Sequence, residues 1–263
     1  MKIDIDNNLI KTGSLLISDW CVLAITGKQK KVEEFLQGQL TSDISLLRNQ
    51  NPQLSSICDH KGQVIADFFI YRQNNEFFII INKNLINVFI DELNVFAKFS
   101  SVEFKKLDKK VIGEISEIDT SKGCYLKNDR FQLNVYTIES SLNFESTLNI
   151  NQWNAANKIL GVFFLAVEDS FKFRPIEINF DKQRVSFEKG CYRGQEIVAR
   201  MEYLGLNRRK FCTFISKESF NDHPSIKIIG ETVVLNNSKI FNGIVKRKDL
   251  AEIENIQEIT MAI

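Results

Sequence analysis

Ser186 to Phe211 reads SFEKGCYRGQEIVARMEYLGLNRRKF, the stretch in which residues of restricted chemical use are most concentrated. Gly190 and Gly194 bracket Cys191 and Tyr192 and permit tight backbone turns. They lie just before a helix-like run from Gln195 to Met201. That order puts Cys191 near a helix N-terminus, where the partial positive charge favours a thiolate, with Lys189 and Arg193 adding to it. A thiol so placed is more reactive than a core thiol. The bland reading of any single cysteine is a small buried hydrophobe, and both readings stand at this point. Glu196 and Arg200 are spaced i,i+4 in the favourable order. They fit either a surface ion pair worth roughly 0.2–0.5 kcal/mol or a positioning role within the motif. Arg208, Arg209 and Lys210 form a basic run that suits a solvated strand entry or the seat of a polyanionic tail.

Outside this stretch the composition mostly excludes. The 263 residues suggest one to two domains with a substantial core. Lys and Arg total 34 against 33 Asp and Glu, a formal charge of +1, which lacks the basic footprint of direct nucleic-acid binding. His60 and His223 are the only histidines, so poly-His metal sites are out and acid-base chemistry falls to carboxylates or a cysteine. Cys21, Cys58, Cys124, Cys191 and Cys212 are odd in number and dispersed, with no C-x-x-C pair. This argues for reduced thiols in a cytoplasm and against a disulfide framework or zinc ribbon. Met1 to Asp6 is polar and acidic rather than signal-like, and no run of about 18 apolar residues is present. The expectation is a cytoplasmic protein without membrane contact.

Along the chain, Ser14 to Thr26 reads as an apolar strand broken at Ser18 and Asp19 and closed by Gly27. Gln29 to Leu40 carries Val32, Phe35, Leu36 and Leu40 at helical spacing. Leu54 to Cys58, Val64 to Tyr71 and Glu76 to Ile81 read as an antiparallel meander, turned at Lys61-Gly62 and Asn74-Asn75. Leu85 to Phe96 follows as an amphipathic helix. Ser101 to Tyr136 reads as short β runs divided by Gly113, Gly123 and Asn128-Asp129, and Leu142 to Asn151 as a loop or helix entry. Gln152 to Leu160 is helical, with Gly161 at its C-cap. Beyond Gly205, strands are expected at Phe211 to Ser216, Glu231 to Leu235, Ile240 to Lys246 and Ile253 to Met261, a small closed or half-closed β module. These elements alone imply a mixed α+β fold.

The run K-G-C-Y-x-G-Q-E followed by V-A-R, here Lys189 to Glu196 and Val198 to Arg200, closely resembles the signature of the YgfZ family of folate-binding proteins, relatives of the glycine-cleavage aminomethyltransferase. Further resemblance runs through DWCVLAITG and FLQGQLTSD between Leu15 and Asp43, CDHKGQVIADF from Cys58 to Phe68, and PIEINFDKQRVSFEKG from Pro175 to Gly190. Together these cover about half the chain.

The resemblance implies an α+β folate-binding body of two related sheet-and-helix halves, 1–110 and 111–204, and a small C-terminal β-barrel, 205–263. It implies tetrahydrofolate or a one-carbon derivative as cofactor. The partners would be iron-sulfur enzymes or assembly proteins, including an enzyme that thiomethylates tRNA, so any tRNA effect is indirect. Folate needs aromatic walls and a few directed polar groups, and the resemblance assigns Trp20 and Trp153 to it. Cys191 is the reactive-thiol candidate, and Tyr192, Gln195, Glu196 and Arg200 are assigned to positioning the motif and binding the cofactor, so Trp20, Trp153 and the Cys191 loop are expected to converge on one cavity. Two departures stand out. Ile159, Leu160 and Gly161 replace the family's Glu-Ala-Gly, leaving Glu168, Asp169 and Glu177 as substitutes for the pterin-binding carboxylate. Ile81 to Phe89, INKNLINVF, offers no carboxylate before Asp91, which weakens a transferase reading. An accessory folate-dependent factor is the leading reading, with a folate-dependent aminomethyl transferase and a folate-independent adaptor as alternatives.

Overall fold

The structure is a computed structural model that describes residues 9–49, 51–119, 124–205, 208–217, 223–249, 253 and 257–258. At its centre lie β3 (Gln53–Cys58), β4 (Val64–Gln73), β5 (Glu76–Asn82), β2 (Trp20–Thr26) and β6 (Glu103–Leu107), in that order across an antiparallel sheet. Alternate residues of a strand point to opposite faces, and here each set enters a different core. Phe68, Ile70, Ile79 and Ile81 pack with Phe35 and Leu36 of α1 (Gln29–Gln39) and Phe89 and Leu93 of α2 (Ile86–Ser100). Phe69, Tyr71, Phe78 and Ile80 enter a second cluster on the other face. Burial on both sides removes the need for polar alternation, which is why FFIII reads as an unbroken apolar run and VIADFFIY as one interrupted only at Asp67. Asn74 and Asn75 have φ of 48° and 67°, the left-handed pair that a tight two-residue hairpin requires.

The second sheet has the order β1 (Gly13–Leu16), β7 (Lys109–Ser116), β9 (Gln132–Glu139), β8 (Leu126–Lys127), all antiparallel. Its edge strand comes from the start of the chain, with Leu15 opposite Gly113. The break at Ser18 and Asp19, both exposed, is thus the point where the chain changes sheets. Val111, Ile115, Leu133 and Val135 join α3 (Ile150–Ile159) in the second cluster.

Gly113 does not divide a run as the sequence suggested; it sits inside β7. A β-carbon there would lie 2.9 Å from Ile17 Cδ1 and 3.1 Å from Trp153 Cδ2, so the glycine makes room for the tryptophan rather than for a turn. Gly123 lies outside the described residues.

The third sheet has the order β11 (Ile226–Leu235), β12 (Ser238–Lys246), β10 (Arg209–Lys217), β13 (Gln257–Glu258). It is bolted to the body by Thr213 Oγ1, donating to the Lys158 carbonyl at 2.8 Å, and by Asn242 Nδ2, donating to the Val162 carbonyl at 3.1 Å. Of the strand expected at 253–261, only 253 and 257–258 are described. No helix of the described residues is long and apolar enough to cross a membrane.

One buried ion pair joins these parts. Arg184, just after the short helix α4 (Phe180–Gln183), is 1% exposed, as is Asp67 on β4. Arg184 Nη2 donates to Asp67 Oδ2 at 3.1 Å and to the Phe163 carbonyl at 3.0 Å, while Asp67 Oδ1 accepts from Leu165 N at 3.1 Å. The guanidinium lies 3.8 Å from the Phe180 ring centroid. Burial pushes the Asp67 carboxyl up and the Arg184 guanidinium down, each opposed by the charge of its partner. Truncating one partner strands the other charge, at a cost of about 3–5 kcal/mol. Urea denaturation should show Asp67→Ala and Arg184→Met each losing stability on that scale, and Asp67→Leu combined with Arg184→Met recovering most of it.

Candidate functional site

A polar-lined opening lies where α3, the entry to β2, the 162–168 run and the β11 bend meet. It encloses about 360 Å³, within the range of small-ligand sites. Both tryptophans line it. Trp20 stands edge-on to Phe164, centroids 5.0 Å apart, and tilted against Phe69 at 5.5 Å. Trp153 is buried, with Tyr125 edge-on at 6.3 Å.

Local chemistry explains why α3 presents Trp153 here. Asn149 caps the helix by accepting from Gln152 N at 3.0 Å. Gly161, at φ 69°, ends it in the left-handed conformation. Asn157 Nδ2 donates to the Trp153 carbonyl at 2.9 Å and its Oδ1 accepts from Tyr125 Oη at 2.6 Å. The facing run is fixed at Val162 and Phe163, whose carbonyls accept from Asn242 and Arg184, and at Leu165, whose N–H donates to Asp67. The polar lining includes Asn82, Asn84, Asn154, Lys158, and the exposed carboxylates of Asp19, Glu168 and Glu231. Lys158 is buried, and desolvation lowers its ammonium to about 8 against the opposing pull of Glu231.

The cysteine motif does not converge on this cavity as the sequence led us to expect. Cys191 is exposed, and neither it nor Tyr192, Gln195, Glu196 or Arg200 lines the tryptophan cavity. The loop is anchored to the helices that cover the other face of the central sheet. Arg193 N donates to the Gly38 carbonyl of α1 at 3.2 Å, and Arg193 Nη2 pairs with Glu92 Oε2 of α2 at 2.7 Å. Lys189 Nζ donates to the carbonyls of Gln37, Leu40 and Ser42 at 2.7, 2.7 and 3.0 Å. Three acceptors match the three N–H bonds of an ammonium, and two of them are carbonyls from the C-terminal end of α1, where a cation is favoured. The sequence placed both cations beside the thiol; the structure commits Lys189 to the α1 terminus and Arg193 to Glu92.

Helix α5 (Gln195–Leu204) starts four residues after Cys191 and is preceded by its N-cap, Gly194, at φ 85°. A β-carbon on Gly194 would collide with the Asp59 carbonyl oxygen, so only glycine lets the motif lie against the β3–β4 hairpin. Gln195 Oε1 accepts from Tyr192 N at 3.3 Å, tying the loop to the helix. Tyr192 is buried, its hydroxyl has no hydrogen-bond partner among the described residues, and desolvation pushes its phenol up. Glu196 and Arg200 are both exposed, and no ion pair joins them among the described residues. Cys21, Cys58 and Cys212 are buried and Cys124 is half-buried, with burial pushing the Cys21 and Cys58 thiols up.

No family model matches the chain. An uncharacterized protein of Haemophilus influenzae is 34% identical over 191 residues, covering 69% of this chain and 66% of that protein. The tRNA-modifying protein YgfZ of Buchnera aphidicola subsp. Schizaphis graminum is 31% identical over 256 residues, covering 85% of this chain and 79% of that protein. The chain belongs to the YgfZ family. The chain thus spans about two thirds of the Haemophilus relative's length. In fold it is similar to the crystal structure of glycine cleavage system aminomethyltransferase T from Bartonella henselae. That match has a TM-score of 0.65 at 12% identity and covers 91% of this chain and 80% of the other.

The structure sorts the three carboxylates that the sequence offered in place of one near Ile159. Asp169 is occupied with Ala166 N at 3.3 Å and Glu177 with Arg174 N at 2.9 Å. Glu168 alone of the three lines the cavity. Sequence reasoning missed Phe164, Lys158 and Glu231. The available signal was Lys158 itself, one charge within the otherwise uncharged helix run 150–160. The two motif glycines should respond differently to alanine. Gly194→Ala should cost more than about 1–3 kcal/mol from backbone strain and the Asp59 contact, whereas Gly190, with open space around its α-carbon, should lose under about 1 kcal/mol, both read from denaturation midpoints.

Proposed function

We propose that the chain binds tetrahydrofolate or a one-carbon derivative between Trp20 and Trp153. In this reading it supports iron-sulfur cluster assembly or repair through Cys191, for client enzymes that include tRNA-modifying ones. The folate-binding body is formed by 1–110 and 111–204 and closed by 205–263. The protein acts in the cytoplasm, without direct contact to nucleic acid or membrane.

The observation that carries the ligand half is the shared cavity. Two tryptophans far apart in sequence line one space, with Phe164 edge-on to one of them. A flat heterocycle gains most from such walls. The carboxylates of Glu168 and Glu231 offer acceptors for pterin N–H groups, and Asn82, Asn84 and Asn154 offer both donors and acceptors. When bound, a reduced folate would supply a one-carbon carrier. The residues of this chain supply the walls, the hydrogen bonds and the exclusion of water around the ring.

The partner half rests on placement. Cys191 is exposed on a loop braced by Arg193–Glu92 and Lys189, away from the cavity. Such a thiol is open to a protein partner rather than to the bound ligand. A transferase reading has less support: Asp91, the first carboxylate after the 81–89 run, is exposed on α2 and does not line the cavity.

Tryptophan emission of the purified chain should be quenched by 5-formyltetrahydrofolate, and Trp20→Ala should weaken binding about tenfold, from loss of roughly 1–1.5 kcal/mol of aromatic contact. No quenching at saturating ligand would favour the adaptor reading. Because the sites are separate, Cys191→Ala should bind 5-formyltetrahydrofolate as the parent does yet fail to restore iron-sulfur enzyme activity in a strain lacking the protein. Full rescue by that variant would remove the thiol from the function.

A further inference from the structure

Among the described residues, Lys158 is the only cation that lines the tryptophan cavity. It is 8% exposed, and among the described residues its ammonium has no hydrogen-bond acceptor and no carboxylate within ion-pair distance. Its main chain is held by the bond from Thr213 Oγ1 to its carbonyl, so the side chain projects from a fixed point near the end of α3. Trp153, Asn154, Asn157 and Lys158 share one helix face toward the cavity. About 7.5 Å of helix axis separates Trp153 from Lys158.

The Lys158 side chain is largely desolvated, its ammonium is open to the cavity rather than sealed, and the charge of Glu231 offsets only part of the cost; the rest is repaid when an opposite charge arrives. The carboxylates at the mouth, Asp19, Glu168 and Glu231, are exposed; water and salt screen them, whereas an ion pair formed inside is stronger in the lower dielectric. An anion is therefore attracted to the interior despite the acidic mouth.

We propose that Lys158 is the anion-recognising residue of this cavity, and that its ligand carries a carboxylate beside a planar aromatic ring. This rests on reading the cavity as a folate site and names the residue that takes one carboxylate of the benzoylglutamate end.

The test uses tryptophan quenching of the intact chain with three probes: 5-formyltetrahydrofolate, 6-hydroxymethylpterin, which has no carboxylate, and 4-aminobenzoylglutamate, which has no pterin. Lys158→Met should weaken both carboxylate probes about tenfold or more and leave 6-hydroxymethylpterin unchanged, while Lys158→Arg should stay within about threefold of the parent. If Lys158→Met unfolds, Lys158→Gln carries the comparison. Unchanged affinity of the neutral variant for 5-formyltetrahydrofolate, or equal loss of all three probes, overturns the assignment while leaving the folate reading in place. Lys158-dependent binding of 4-aminobenzoylglutamate without binding of either pterin probe sustains the anion site and overturns the folate reading. Binding of none of the three by the parent chain overturns both.

Discussion

Arginine and aspartate buried together lose several kcal/mol of hydration each, and the pair persists only where geometry and further hydrogen bonds repay that loss. Arg184 and Asp67 meet this condition by using the pair as a joint. Asp67 belongs to the central sheet, Leu165 and Phe163 to the wall of the tryptophan cavity, and Arg184 to the chain that leads into the cysteine motif. The Arg184 carbonyl accepts from Thr41 Oγ1 at 2.7 Å, which extends the joint to the end of α1. Phe164, held between two pinned neighbours, is thereby set edge-on to Trp20.

The same joint keeps two chemical sites apart while linking them mechanically. The central sheet has the tryptophan cavity on one side, and on the other the α1–α2 layer to which the Cys191 loop is tied. Fixed scaffolding runs between them through residues 163–189, part of the stretch between β9 and β10 that holds helices and no β-strand among the described residues. Its backbone groups are instead satisfied by strand edges and side chains, as where Phe171 N donates to the Val64 carbonyl and Val64 N to the Phe173 carbonyl, both at 2.8 Å. A ligand in the cavity and a partner at the thiol would therefore share a common support without touching.

Much of this fold was legible in the sequence because its signals are local. The apolar runs of β2, β4 and β5, the asparagine hairpin and the helical spacing in α1 and α2 depend on neighbours two to four positions away. The pairing of Trp20 with Trp153 in one cavity was legible only through the family resemblance. What stayed hidden depends on faces and long-range partners. Lys189 reads as a charge beside a thiol until its three acceptors on and just past α1 are seen. Gly113 reads as a turn until Trp153 is placed over it. Arg184 sits in FDKQRVSF, which looks like a solvated surface, and its burial follows from Asp67, more than a hundred residues earlier. The separation of Cys191 from the tryptophans is likewise a property of which side of the sheet each segment reaches.

The most direct test of this account is a crystal structure with 5-formyltetrahydrofolate bound. The account predicts ligand density against Trp20 and Trp153, with the Cys191 loop unchanged and outside contact distance. Ligand density at the Cys191 loop, with the tryptophan cavity unchanged, would contradict it.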